Sequence, residues 1–237
     1  MMKRALILMT RVPVPGRTKT RLMKILSGEE CASLHKCFLL DLFNLFEYIK
    51  NDIDIYLTYT PENPFGLIKD IIPDYIKCFP QNGKDLGEKM LNGFDYLLQK
   101  EYSQVALMGA DIPDIQPDDI RDAFEILDDS DIVLAPTTDG GYYLVGMNKV
   151  CPEIFEDKVK WGNKSVLEGT IDIANGLNLK VGLANKHTDI DTKEDLFSFM
   201  KKIEDCEDNF NVVPYNTINY LNNLWSDKDY AKEYSKG

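Results

Sequence analysis

The sequence lacks the features of membrane-spanning, secreted and nucleic-acid-binding proteins. No apolar stretch approaches the length of a transmembrane span. The apolar run after Lys3 and Arg4 is too short for a signal peptide, because Arg11 and Pro13 interrupt it. The 237 residues carry a formal net charge of −12, whereas nucleic-acid binding requires a basic face. We therefore expect a cytoplasmic protein that binds neither a membrane nor nucleic acid.

Cysteine is scarce and follows no pattern that indicates disulfides or a metal site. The five cysteines are odd in number, and no two of them form a C-x-x-C pair. They are therefore expected to be reduced thiols that pack as small core residues. Hydrophobic residues make up 44% and charged residues 28% of the chain, which is the composition of an ordinary globular protein.

Acidic residues are absent from the first 28 positions, although the whole chain contains 39 of them. This stretch carries seven basic residues, namely Lys3, Arg4, Arg11, Arg17, Lys19, Arg21 and Lys24. Four of the seven lie in residues 11–22, a loop with two prolines and Gly16 that follows the apolar run 5–9 directly. A basic loop that leaves a buried strand is suited to hold phosphate groups. The alternative is a solvated basic loop without a ligand.

This loop does not match the two glycine signatures of nucleotide-binding proteins. It contains no G-x-G-x-x-G, and it lacks two glycines of a P-loop, although Lys19 and Thr20 follow Gly16 at a similar spacing. The interpretation therefore rests on its cations, since arginine grips phosphate oxygens through two donors and lysine adds a point charge. The predicted phosphate-binding residues are Arg11, Gly16, Arg17, Lys19 and Arg21.

Apolar runs and amphipathic runs alternate along the chain. Strands are predicted at Ala5–Met9, Ile53–Tyr59, Ile76–Phe79, Val105–Met108, Ile132–Ala135 and Tyr142–Met147. Helices are predicted to start at Ser27, Glu88, Pro117 and Thr192, with Glu30 and Asp195 as capping-box partners. Strands interleaved with helices indicate an α/β fold, with a mostly parallel, Rossmann-like sheet covered by helices on both faces.

The composition changes after Ile203, which marks a predicted domain boundary. Residues 1–203 carry the alternating elements, whereas 204–237 begin with an acidic break and are rich in Asn and Tyr. We expect one α/β domain followed by a C-terminal appendage that is helical around residues 218–225. Its Tyr and Trp residues would cover the functional site or contact a partner subunit, as in a homodimer.

Two later segments place carboxylates just past apolar runs. Asp111 follows the predicted strand 105–108, at the position where open α/β sheets bind ligands. Asp189 and Asp191 are two residues apart, so an extended backbone places them on the same face. Oxygen ligands suit Mg²⁺ or Mn²⁺, which bridge phosphates with only one or two protein carboxylates. Asp111, Asp191 and Asp189 are therefore predicted metal ligands, and for the last two a helix N-terminal role is an equal alternative.

Paired glycines beside an acid and an aromatic form another candidate segment, D-G-G-Y at residues 139–142. Such a pair marks a hairpin turn, or it lets a sugar ring approach the backbone. Trp161 is either a packing residue or a platform on which a sugar or acceptor stacks. The two histidines are not counted as site residues, because His35 is expected to be structural and His187 to be exposed.

Five phrases follow one another in a fixed order. They are P-x-P-G-x-x-K-T-R-L, Q-x-G-x-D-L-G-E-x-M, G-x-D-x-P, D-G-G-Y-Y-L-x-G and D-x-D-T-x-E-D-L. Together they resemble the GT-A-like nucleotide-diphospho-sugar transferases labelled radical-SAM/selenodomain-associated transferase 1, some of which are called arsenosugar-biosynthesis glycosyltransferases. The resemblance spans roughly residues 3–203 and implies a GT-A fold. It extends to the nucleotidyltransferases of that fold.

The resemblance also implies site residues by position. By position, phosphate contacts fall on Arg17, Lys19 and Arg21, and metal ligation falls on Asp111 and Asp191, with Asp189 as their neighbour. The nucleobase would lie near Gln81 and Gly83. The sugar or acceptor would lie near Asp139, Gly140, Gly141 and Tyr142. Two departures stand out. The nucleotidyltransferase signature G-G-x-G-x-R is absent, and the D-x-D of many glycosyltransferases is reduced to Ala110-Asp111.

The leading hypothesis is a metal-dependent transferase that moves a glycosyl group from a nucleotide-sugar to a small-molecule acceptor. Mg²⁺ or Mn²⁺ at Asp111 would stabilise the leaving nucleoside diphosphate, and Asp139 is the candidate general base for the acceptor hydroxyl. The alternative is a nucleotidyltransferase that joins a nucleoside triphosphate to a phosphorylated small molecule and releases pyrophosphate. A third hypothesis is a nucleotide-binding regulator without catalytic activity.

Overall fold

Alternating strands and helices build an α/β fold around one sheet. The computed structural model describes residues 2–156, 166–206 and 210–227. The strands in these ranges are β1 (Arg4–Arg11), β2 (Ile53–Thr60), β3 (Lys77–Pro80), β4 (Gln104–Gly109), β5 (Ile132–Pro136), β6 (Tyr142–Met147) and β7 (Val181–Leu183). The helices are α1 (Gly28–Phe46), α2 (Gly66–Lys69), α3 (Leu86–Leu98), α4 (Pro117–Asp128), α5 (Val166–Gly176), α6 (Lys193–Cys206) and α7 (Tyr215–Asp227). None of the described helices is both long and apolar enough to cross a membrane.

Local capping residues decide where several helices begin. Ser27 Oγ accepts a hydrogen bond from the backbone N–H of Glu30 at 3.2 Å, and the Glu30 carboxylate accepts from the Ser27 N–H at 2.7 Å. Pro117 occupies the first turn of α4, where its missing N–H costs nothing. The Asp195 carboxylate accepts from the N–H of Thr192 at 2.7 Å, just before α6. These three helix starts confirm the sequence predictions.

The sheet has the strand order β3-β2-β1-β4-β6-β5-β7. β6 runs antiparallel to β4 and β5, and the other neighbouring strands are parallel. The chain moves outward from β1 to β3 and then returns to β4 on the opposite side of β1. At such a reversal the carboxyl ends of the strands open a crevice where α/β proteins bind ligands. The predicted α/β fold with a mostly parallel sheet is confirmed.

Helices cover both faces of the sheet, as predicted. On one face α1 and α4 pack Phe46 and Phe124 against Leu6 and Leu8 of β1. On the other face α3 and α5 cover the alternate residues of β1, such as Ile7. Because β1 is buried on both faces, the loop that follows it starts from a fixed point at the carboxyl edge.

The C-terminal helices add a third apolar cluster beside α1. Phe38 of α1 packs there with Met200 of α6 and Leu221 of α7. The buried Asp41 carboxylate accepts hydrogen bonds from the backbone N–H groups of Asn216 and Thr217 at 2.9 and 2.8 Å, and so caps α7. α6 continues past residue 203 and α7 packs against α1, while the division into domains at 1–203 and 204–237 stays a prediction.

Candidate active site at the carboxyl edge of the sheet

A cavity of about 830 Å³ lies at the carboxyl edge of the sheet, beside the reversal between β1 and β4. Its walls come from the loops after β1, β4 and β5, from the start of α3 and from the segment before α6. The predicted site residues on its walls are Arg11, Arg17, Lys19, Arg21, Gln81, Asp111, Asp139, Gly141, Tyr142, Asp189 and Asp191. A cavity of this size accommodates a small-molecule ligand.

Three predicted glycines lie beside the cavity but are not part of its wall. Gly16 and Gly83 have positive φ angles of 72° and 137°, which residues with a Cβ atom rarely adopt. A Cβ atom on Gly83 would also lie 2.7 Å from the backbone nitrogen of Lys89. These two glycines therefore shape the turns that carry cavity residues, and Gly140 precedes the wall residue Gly141. Trp161 lies outside the described residues.

Backbone hydrogen bonds bring the two acidic segments together. The N–H of Ile190 donates to the carbonyl of Asp111 at 2.9 Å. Three residues earlier, the N–H of His187 donates to the carbonyl of Pro136 at 3.1 Å, at the end of β5. The segment before α6 thus runs along the ends of β4 and β5. This arrangement gathers Asp111, Asp139, Asp189 and Asp191 around one cavity, as the strand-edge rule predicts.

Lys19 lies between Asp111 and Asp191. Its Nζ atom is 2.6 Å from Oδ1 of Asp111 and 3.1 Å from Oδ1 of Asp191, and it donates to the carbonyl of Ile190 at 2.6 Å. These three acceptors use all three donors of an ammonium group. Burial opposes the charge, but the carboxylates of Asp111 and Asp191 outweigh it and raise the pKa of Lys19. Lys19 is therefore charged, and its three donors are bonded within the protein. Its contact with phosphate stays a prediction.

The carboxyl groups around Lys19 differ in their protonation. Burial acts to raise the pKa of Asp111, but the neighbouring basic groups, Lys19 first among them, together outweigh burial and lower that pKa. Burial, and next the carboxylates of Asp191, Asp139 and Asp111, raise the pKa of Asp189 to about 6. Asp189 therefore begins to take up a proton at a higher pH than an ordinary carboxyl group, as the pH falls toward 6.

His35 is a site residue that the sequence analysis assigned a structural role. Its ring is buried, with Nε2 2.9 Å from the hydroxyl of Thr10 and Nδ1 3.9 Å from Oδ1 of Asp111. Burial lowers the pKa of His35 to about 4, so the ring is neutral at neutral pH. The sequence feature that could have indicated this role is a polar residue, His35, between Leu34 and Phe38 on an apolar helix face. That signal does not reveal which strand end the ring faces.

Arginines of the acid-free loop supply the exposed positive charge of the cavity. Arg11 and Arg17 are exposed on its wall, and no ion pair to either occurs in the described part of the chain. Arg21 is 70% exposed, with a guanidinium nitrogen 3.5 Å from Oδ2 of Asp191. Lys84 and Lys89, beside the start of α3, line the same cavity. These cations are exposed toward the cavity, whereas the donors of Lys19 are bonded to Asp111, Asp191 and Ile190.

Two polar side chains fix neighbouring parts of the wall. Nε2 of Gln81 donates to the carbonyl oxygens of Thr10 at 2.9 Å and Thr58 at 3.2 Å, which joins the ends of β1 and β2. Oδ1 of Asp139 accepts from the hydroxyl of Thr137 at 2.6 Å and from the N–H of Gly141 at 3.0 Å. These hydrogen bonds, the one from Thr137 first, lower the pKa of Asp139. Asp139 therefore holds the turn before β6 and is a weak base.

A divalent ion does not fit between Asp111 and Asp191 in this arrangement. The Lys19 ammonium already contacts one oxygen of each carboxylate. Among the residues that the structure describes, no group of three or more His, Cys, Asp or Glu side chains is arranged to hold a metal ion. The predicted metal ligands Asp111, Asp191 and Asp189 are thus brought into one cavity, but two of them surround an ammonium group.

Comparisons with known proteins bear on this fold. The model of a family described as "Uncharacterized protein conserved in bacteria (DUF2064)" matches residues 48–163. No curated protein matches the chain. A crystal structure titled as a "putative nucleotide-diphospho-sugar transferase" from Desulfovibrio desulfuricans G20 superposes with a TM-score of 0.83 at 27% identity. That superposition covers 96% of this chain and 98% of the other.

Two more distant structures share the fold. CMP:2-keto-3-deoxy-manno-octonic acid synthetase complexed with CTP superposes with a TM-score of 0.55 at 7% identity, over 86% of this chain and 99% of the other. Rv0371C of Mycobacterium tuberculosis H37Rv, in complex with manganese, superposes with a TM-score of 0.50 at 13% identity, over 85% and 99%. The chain is therefore similar to the DUF2064 family over residues 48–163, and its fold is that of nucleotide-diphospho-sugar transferases.

Proposed function

We propose that this protein is a transferase that uses a nucleotide-activated donor, and that it moves a glycosyl group from a nucleotide-sugar to a small acceptor. One observation carries the proposal: the exposed arginines of the first loop share a cavity with the carboxylates after β4 and before α6. This cavity lies at the strand reversal where α/β folds bind their ligands. The similarity to the Desulfovibrio desulfuricans G20 structure extends over 96% of the chain and supports the same proposal.

The first loop would bind the diphosphate of the donor. Arg11, Arg17 and Arg21 are exposed on the cavity wall, and each guanidinium can bond two phosphate oxygens at once. The nucleobase would lie toward Gln81, whose side chain joins the ends of β1 and β2. We place the nucleobase there because Gln81 lies at the ends of β1 and β2, next to the start of the first loop.

The leaving group would be stabilised by fixed positive charge. When the glycosyl bond breaks, negative charge develops on the nucleoside diphosphate, and preorganised cations stabilise that charge. The arginines of the first loop would provide positive charge by direct contact with the phosphates. The Lys19 ammonium adds a fixed positive charge at the cavity wall. The predicted Mg²⁺ or Mn²⁺ enters no step of this proposal, because Lys19 lies between Asp111 and Asp191.

The acceptor would lie near the turn before β6. Asp139, Gly141 and Tyr142 line this part of the cavity. Thr137 and Gly141 hold the carboxylate of Asp139 in place. Asp139 would therefore orient the hydroxyl of the acceptor through a hydrogen bond. Its lowered pKa makes it a weaker proton acceptor than an ordinary carboxylate.

Nucleotidyl transfer is the second candidate. The three exposed arginines on the cavity wall, Arg11, Arg17 and Arg21, suit a triphosphate as well as a diphosphate. The fold shared with a CTP-bound synthetase is consistent with it, although an identity of 7% relates the folds alone. Against it stands the absence of the G-G-x-G-x-R signature from the sequence. The two candidates differ in their products, so one assay separates them.

The test is incubation of the full chain with a pool of nucleotide-sugars and pyrophosphate, followed by mass spectrometry of the nucleotides. Glycosyl transfer to water or acceptor predicts a nucleoside diphosphate. Nucleotidyl transfer in reverse predicts a nucleoside triphosphate and a sugar phosphate, and would replace the leading proposal. Asp111→Asn should lower the turnover by at least about 100-fold, whereas Asp114→Asn, three residues along the same segment, should retain it. Ligand binding without turnover under any condition would indicate the regulator.

A further inference from the structure

We propose that the Lys19 ammonium group takes the place of a metal ion between the carboxylates of Asp111 and Asp191. In the protein without nucleotide, it keeps a divalent metal ion from binding there. Lys19 plays this part whichever donor or acceptor the cavity takes.

The contacts of Lys19 leave no room for a second cation at the same oxygens. Its ammonium lies 2.6 Å from Asp111 and 3.1 Å from Asp191, and the Ile190 carbonyl at 2.6 Å takes its third donor. A Mg²⁺ ion bound to the same carboxylate oxygens would lie about 2.1 Å from each of them. It would therefore overlap with the ammonium group or force it out of its three hydrogen bonds.

The backbone at Lys19 is shaped to place this side chain. Lys19 has φ and ψ angles of 52° and 43°, a left-handed conformation that residues with a Cβ atom disfavour. The N–H of Leu22 donates to the carbonyl of Lys19 at 3.0 Å and holds the turn. Strained conformations of this kind persist where the surrounding structure requires them, and they cluster at functional sites. The position of the ammonium is therefore built into the loop.

The surroundings of Lys19 also shield it from solvent. Only 3% of its side chain is exposed, and its Nζ atom lies 5.4 Å from the ring centre of Phe38. The aromatic face attracts the ammonium group and shields it from solvent. Arg21, 3.5 Å from the other oxygen of Asp191, adds a second positive charge at this carboxylate. These two cations would repel a divalent ion that approaches the pair of carboxylates.

The test is a titration of the full chain with Mn²⁺ alone, in the absence of nucleotide, followed by electron paramagnetic resonance of the free ion. The wild type should bind Mn²⁺ weakly, with a dissociation constant larger than about 1 mM. Lys19→Met, which keeps an unbranched side chain one atom shorter and removes its charge, should bind Mn²⁺ at least about tenfold more tightly. Lys19→Arg keeps the charge and should behave like the wild type. Adding Asp111→Asn to Lys19→Met should remove the gain.

Two results would overturn this role of Lys19. One is a wild type that binds one Mn²⁺ ion more tightly than about 1 mM and loses it in Asp111→Asn, since the carboxylates would then hold metal with Lys19 in place. The other is a Lys19→Met variant that is folded by circular dichroism and gains no affinity. If Lys19→Met does not fold, Lys19→Gln takes its place in the same titration, and the wild-type titration can still overturn the proposal. A failed transferase assay leaves the Mn²⁺ titration unaffected, so the two proposals fail separately.

Discussion

Nδ1 of His35 lies 3.9 Å from Oδ1 of Asp111, and on its other side the same ring bonds the hydroxyl of Thr10 at 2.9 Å. The first helix thus reaches the ends of β1 and β4 through one buried side chain. Because the ring is neutral, it adds no positive charge to that of Lys19 beside Asp111. A proton on His35 would change both the charge of the cavity and the stability of the fold.

The buried ring predicts that acid destabilises the protein through His35. Burial lowers its pKa to about 4 from the ordinary value of 6.5, so the unfolded chain takes up a proton before the folded one does. Stability is therefore full above pH 6.5 and is lost as the pH falls from 6.5 toward 4. Near pH 5 we expect a loss of about 2 kcal/mol from this residue.

The measurement is the free energy of unfolding by urea of the wild type and His35→Asn, from about pH 7.5 down to about pH 5. The other titrating groups are common to both proteins, so the difference between the two isolates the ring. The stability of the wild type should approach that of the variant as the pH falls. Parallel pH profiles would show that His35 is not held neutral in the folded state.

The first loop predicts a binding site for pyrophosphate. Arg17→Gln combined with Arg21→Gln should weaken pyrophosphate binding on the order of tenfold, because both groups are exposed and partly screened. The affinity of the double variant should also depend less on salt concentration. Lys24→Gln is the matched control, since Lys24 is exposed in the same acid-free stretch but is not a wall residue of the cavity. The double variant removes two charges and Lys24→Gln removes one. A loss of binding free energy in Lys24→Gln about half that of the double variant, measured by calorimetry, would therefore argue for unspecific attraction.

Two neighbouring aspartates should separate activity from stability. Asp111→Asn should lower turnover by at least about 100-fold, since it faces the cavity and orders Lys19. Asp114 instead pairs with Lys202 at 2.6 Å, away from the cavity wall. Asp114→Asn should therefore cost roughly 1–2 kcal/mol of stability and leave turnover within about twofold. Loss of activity in both variants with equal loss of melting temperature would remove Asp111 from the reaction.

The cap on α7 predicts that the C-terminal helix depends on Asp41. This buried carboxylate accepts hydrogen bonds from the backbone and side chains of Asn216 and Thr217 at 2.6–2.9 Å. Asp41→Ala should cost roughly 2 kcal/mol, because it leaves buried donors without partners. Hydrogen exchange should become faster in α7, while Asp52→Ala, at an exposed position after α1, should leave it unchanged. Unchanged exchange in Asp41→Ala would show that packing alone holds the helix.

Local signals in the sequence were sufficient for most of the fold. The capping box at Ser27, the proline at the start of α4 and the apolar run of β1 act within a few residues, so they could be recognised without the structure. β7 was missed because it has three residues and no buried one. α5 was missed because its β-branched residues and glycines favour helix only weakly, and its packing onto the sheet decides its conformation.

The candidate site was predictable only in part, for a physical reason. That Asp111 and Asp191 share one edge follows from the rule that parallel strands end together. That Lys19 bonds Asp191, 172 residues away, depends on the side chain turning inward at a left-handed residue. Nothing in the local sequence distinguishes this lysine from the arginines on either side, which remain exposed. The position of His35 against Asp111 likewise depends on how α1 packs on the sheet.

The most direct test of the account is calorimetry of the wild-type protein with a panel of nucleoside diphosphates that differ in their base. At least one of them should bind with a dissociation constant of about 1–100 μM, and Arg17→Gln with Arg21→Gln should weaken this binding. The nucleotide-sugar with the same base should compete for the site. Binding by none of the nucleotides, or binding that the double variant leaves unchanged, would contradict a nucleotide donor in this cavity.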